Sequence, residues 1–66
     1  MIVVLNGVPT TVPDESSVAE AVRLLNLRPN GVAVSVDREV VPRSQWDTVV
    51  LNEGASIEVL SAAAGG

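Results

Sequence analysis

The chain has 66 residues, enough for one small domain, and 47% of them are apolar. Val supplies 14 residues, Trp46 is the sole aromatic, and Cys, His, Lys, Tyr and Phe are absent. A zinc site, a disulfide framework and a thiol or imidazole active site therefore lack their ligands or nucleophiles. The net charge of −4 disfavours nucleic acid, which needs a cationic face to displace counterions. No run approaches the ~18–20 apolar residues that span a bilayer. Met1–Leu5 is too short for a signal-peptide core and no basic residue precedes it, so the cytoplasm is the expected location, with no membrane partner.

β-branched Val suits a pleated surface and is stiff in a helix, so the composition predicts a mostly β domain with one helix. Met1 to Leu5 reads as a strand. Asn6-Gly7 is a type I′ hairpin signal, and Val8 to Val12 is the return strand, with Pro9 marking an edge. Ser17-Val18-Ala19-Glu20 forms a capping box. Val18, Ala21, Val22 and Leu25 then recur at i, i+3, i+4 and i+7, a helical stripe that Leu24 widens. The helix should stop near Asn26, ahead of Pro29 and the Asn30-Gly31 turn.

Val32 to Val36 alternates large and small side chains, as a strand with one buried face does. Asp37-Arg38 turns it into Glu39-Val40-Val41, which Pro42 ends. Arg43 to Val50 has no clean period and reads as a loop with a short helical turn, Trp46 serving as a lid over a thin core. Asn52-Glu53-Gly54 is a turn. Ser56 to Leu60 is the last strand, with Ile57 and Val59 on one face and Glu58 and Leu60 on the other.

A helix lying between two strand pairs must cover one face of a shared sheet. The economical arrangement sets the first and last strands side by side and parallel in the middle, with both hairpins outward. This is a β-grasp (ubiquitin-like) α+β fold: a mixed sheet of about four to five strands packed on one helix. Residues 1–60 are expected to form the domain and 61–66 a flexible C-terminal tail. Val3, Leu5, Val34, Val36, Ile57 and Val59 are expected to face Val18, Val22 and Leu25. Val4 and Leu60 are expected on the open face as near neighbours, forming an apolar docking patch where the tail departs.

No side chain stronger as a nucleophile than Ser or Thr is present, and no His or Lys could activate one, so catalysis by the chain itself is not expected. The eight carboxylates read as a solvated surface, and an acidic surface can also steer docking onto a basic partner. The distinctive reactive group is the main-chain carboxylate of Gly66. Six extended residues at ~3.3–3.6 Å each reach roughly 20 Å. The small side chains of Ala63, Ala64 and Gly65 suit threading into a partner's active site.

The chain resembles the ThiS family, the sulfur carriers of thiamine biosynthesis. The resemblance rests on Asn6-Gly7, Ser17–Glu20, Gly31–Val34, Glu39–Ser44, Trp46, Leu51 with Gly54, and Gly65-Gly66. It departs at Ala62-Ala63-Ala64, smaller than the aliphatic lead-in such carriers often show. The resemblance implies that an E1-like adenylyltransferase of the ThiF type uses ATP to adenylate Gly66. Sulfur from a donor such as a cysteine desulfurase then yields a thiocarboxylate, which serves thiazole synthase of the ThiG type. No bound cofactor is implied. Three other readings stand beside it: the small subunit of molybdopterin synthase or another sulfur carrier, a protein-conjugating modifier, and a non-reactive β-grasp interaction module. Arg43 contacts either its own loop or an acidic groove on a partner.

Overall fold

The computed structural model describes residues 1–25 and 31–61. Five strands and one helix follow in the order β1 (Ile2–Leu5), β2 (Val8–Thr11), α1 (Val18–Leu24), β3 (Val32–Val36), β4 (Glu39–Val41) and β5 (Ser56–Ser61), with a 3-10 turn at Arg43–Gln45 between β4 and β5. The strands form one sheet in the order β2-β1-β5-β3-β4. The central pair β1 and β5 is parallel, and the other three pairings are antiparallel. This is the mixed β-grasp sheet expected from the order of elements.

Both hairpins close on two residues with positive φ: Asn6 (50°) and Gly7 (80°), then Asp37 (50°) and Arg38 (72°). Such turns carry the twist that antiparallel strands require. Asn, Asp and Gly tolerate this backbone region; Arg pays for it through its Cβ. Arg38→Gly is therefore expected to stabilise the domain by about 0.5–1 kcal/mol, less the extra freedom glycine gives the unfolded chain. A thermal melt checks this: the midpoint should rise by a few degrees.

The capping box forms as read. Glu20 N–H donates to Ser17 Oγ at 3.3 Å, and Ser17 N–H donates to Glu20 Oε1 at 3.1 Å. The loop after β4 satisfies two further helix N-terminal donors: Val18 N–H reaches the Val49 carbonyl and Ala19 N–H the Trp46 carbonyl, each at 3.0 Å. The loop is thereby tied to the helix it covers. The helix C-cap is Leu25; the expected stop near Asn26 and the turn at Asn30 lie outside the described residues.

One core lies between sheet and helix. Val3, Val18 and Ile57 are fully buried, and Val22, Val34 and Val59 nearly so. Trp46 closes the core at 5% exposure. Several side chains depart from expectation. Leu24 is exposed, because it falls about 120° around the helix from Val18 at 3.6 residues per turn. Val36 and Leu25 pack against the core at its margin, where the hairpin and helix end, and are only partly buried. Val12 is buried although β2 ends at Thr11. β5 runs one residue past the expected boundary at Leu60, since Ser61 still pairs with Val32.

Candidate functional site

The strand at the centre of the sheet, β5, is the last in sequence, and it is followed by Ala62-Ala63-Ala64-Gly65-Gly66. Pleating turns Ile57 and Val59 of β5 into the core, while Ser56, Glu58 and Leu60 alternate onto the face away from the helix. Register fixes their neighbours. Leu60 stands opposite Ala33 and Glu58 opposite Ser35 on β3; Ser35 stands opposite Val40 on β4. On the other side of β5, Ser56 lies beside Val4, which pairs with Pro9.

This register corrects one expectation. Val4 and Leu60 share the open face but are not near neighbours. Val4 is level with Ser56, four residues before Leu60, or about 13 Å along the strand. Pleat parity was readable from the alternation of residues, whereas the parallel register of β1 on β5 was not. Leu60 instead has Ala33 beside it and Val40 diagonally across β3. Leu60 is 69% exposed and Val40 76%, while Val4 is half-buried. Ala63, Ala64, Gly65 and Gly66 lie outside the described residues.

Both ends of β5 are held by hairpin-turn side chains. At its start, Ser56 N–H donates to Asp37 Oδ1 at 3.0 Å, and Asp37 N–H donates to the Ser56 carbonyl at 2.8 Å. Toward its end, Val59 N–H donates to Asn6 Oδ1 at 2.7 Å, and Asn6 Nδ2 donates to the Val59 carbonyl at 3.2 Å. The sequence marks Asn6 and Asp37 only as turn residues. Their ties to β5 depend on which strand lies next to each hairpin.

Arg43 opens the 3-10 turn beyond β4 with its side chain exposed. An open depression of ≈ 330 Å³ adjoins β4, walled in part by Val36, Val40, Val49 and Val50. It sits toward the beginning of β5, away from the Ser61 end. Among the described residues, no group of His, Cys, Asp or Glu is placed to hold a metal ion, and no helix is long and apolar enough to cross a membrane. The arrangement is a five-stranded sheet presenting one strand end, with an exposed polar and aliphatic face around it.

Comparison with known proteins agrees with this geometry. A crystal structure of the thiamine biosynthesis protein ThiS from Geobacter metallireducens superposes with a TM-score of 0.81 at 29% identity, covering 100% of both chains. An NMR solution structure of a thiamine biosynthesis protein from the same organism gives a TM-score of 0.81 and 29% identity, covering 100% of this chain and 88% of that one. A comparison with curated protein sequences found no significant match. The sequence model of the ThiS family matches residues 3–66, from the first strand through Gly65-Gly66. The match spans nearly the whole chain and the fold agrees with it: the chain belongs to the ThiS family, a ThiS-type sulfur carrier.

Proposed function

We propose that the chain is a sulfur carrier of thiamine biosynthesis whose reacting atoms are the main-chain carboxylate of Gly66. The observation that carries this reading is the family match, which extends through Gly65-Gly66 on a chain without Cys, His or Lys. An ionised carboxylate is a poor electrophile at neutral pH. A ThiF-type, E1-like adenylyltransferase joins it to AMP from ATP, releasing pyrophosphate and creating a leaving group. The terminal sulfur of a persulfide, formed by a cysteine desulfurase, attacks the acyl carbon and AMP departs. A thiol then cleaves the S–S bond, leaving a thiocarboxylate on Gly66. Thiazole synthase of the ThiG type accepts that sulfur.

The domain's own work is to bind and present. The open face supplies apolar contact area in Leu60 and Val4, separated along β5, and the tail residues Ala63, Ala64 and Gly65 enter the partner's channel. ATP belongs to the partner's chemistry, and the carrier itself needs no bound cofactor. The absence of Cys and Lys leaves no side-chain thiol or amine to attack the activated end.

Intact mass spectrometry tests the reading. The protein is incubated with ATP, the E1-like enzyme and a persulfide donor. The expected product is heavier by the difference between one sulfur and one oxygen atom. Attachment to other proteins would instead identify a modifier, and an unchanged mass an interaction module.

A further inference from the structure

We propose that Asn6 is a positioning residue for the reacting terminus, acting through Val59. This rests on the carrier reading above. β1 bonds to β5 by parallel rungs: Val4 N–H donates to the Ala55 carbonyl and Asn6 N–H to the Ile57 carbonyl, each at 2.8 Å. Were β1 to continue straight, its next peptide unit would meet Val59. It cannot continue, because the chain reverses at Asn6, where φ is 50°. The Asn6 carboxamide takes the place of that missing peptide. Its Oδ1 accepts from Val59 N–H as a backbone carbonyl would, and its Nδ2 donates to the Val59 carbonyl as a backbone amide would. A carboxamide has one acceptor oxygen and a donor nitrogen in the same plane, so it fits this role and a carboxylate does not.

Without this rung, the pairing of β1 with β5 ends at Ile57, and the Val59 end of β5 keeps only its partner β3. Val59 is two residues from Ser61, the last residue of the strand. β3 holds this end of β5 from one side, through Val32 opposite Ser61, and the clip holds it from the other, so the two together fix the point and direction from which the chain leaves the sheet. A strand end held on both sides keeps Ser61 at one place relative to the open face that docks, so the distance from the docked face to a partner's ATP site stays matched to the length of the five residues that follow. Docking depends on the open face and is left unchanged.

Asp37 is an internal control. It has the same φ of 50°, sits in the same kind of two-residue turn, and ties the same strand at Ser56, at the end remote from the exit. Asn6→Gly and Asp37→Gly each remove the side chain and keep a residue suited to positive φ. Adenylation is followed as pyrophosphate release with the E1-like enzyme, and amide hydrogen exchange is measured on both variants. For Asn6→Gly, kcat is expected to fall roughly tenfold with KM for the carrier unchanged, because misplacing a reacting group by about an ångström has effects of this order or larger. Its Val59 amide should exchange faster. For Asp37→Gly the Ser56 amide should exchange faster while kcat stays at the parent value. Equal losses of kcat in the two variants, or none in Asn6→Gly, would overturn the role given to Asn6 alone. No adenylation or sulfur gain by the unaltered chain would overturn the carrier reading itself, and the role of Asn6 with it.

Discussion

Replacing Trp46 with alanine is expected to lower the melting midpoint by about 12 °C or more, the largest stability loss of any substitution considered. The indole is 5% exposed, and its Nε1–H donates to the Val41 carbonyl at 2.9 Å. Its removal costs about 3–5 kcal/mol through lost burial and the cavity left behind. At roughly 0.05–0.15 kcal/mol per residue, a domain this short holds only about 3–10 kcal/mol in total. The loop that carries Trp46 also supplies carbonyls to the first turn of α1, so losing the lid loosens the helix cap as well. Trp46→Phe should fold with a lowered midpoint, since it retains most of the apolar volume but gives up the indole hydrogen bond to the Val41 carbonyl, a net loss of about 0.5–1.5 kcal/mol. Circular dichroism is the appropriate probe, because either substitution removes the principal fluorophore. A Trp46→Ala midpoint within a few degrees of the parent would show that the lid is not essential to the core.

Deletion of Gly66 is expected to eliminate thiocarboxylate formation while leaving the melting curve unchanged. The buried core closes with Val59, and β5 ends at Ser61, so the fold as described draws nothing from residue 66. The reaction depends on reach. Removing one residue withdraws the carboxylate by about 3.3–3.6 Å, beyond the distance at which a reacting pair remains aligned. Intact mass after incubation with ATP, E1-like enzyme and persulfide donor should therefore show no sulfur gain. A gain equal to that of the parent would mean that the terminal residue is not the one presented.

Much of the architecture could be read from local chemistry. Asn6-Gly7 announced the first hairpin, Ser17 and Glu20 the helix start, and pleat alternation placed Val3, Val34, Ile57 and Val59 in the core. These features depend on neighbours within a few residues. The features that escaped depend on register between strands distant in sequence. The separation of Val4 from Leu60 follows from Val4 standing level with Ser56, which no periodicity encodes. The ties from Asn6 to Val59 and from Asp37 to Ser56 span 53 and 19 residues, and in the sequence both look like ordinary turn formers. Leu24 was misplaced for a different reason: as an apolar residue next to the stripe it invited inclusion, although helix geometry points it to solvent. The proposal that Gly66 is the reactive end rests on the lack of side-chain nucleophiles and on the family resemblance, and Gly66 itself lies outside the described residues.

We propose that the terminal diglycine, and no side chain, undergoes the sulfur chemistry. Complementation of a bacterial strain that lacks its own carrier and requires thiazole tests it most directly. The unaltered chain is predicted to restore growth, and a chain without Gly65-Gly66, verified as folded and equally abundant, to leave the requirement in place. Growth restored by the chain lacking Gly65-Gly66 would contradict the account.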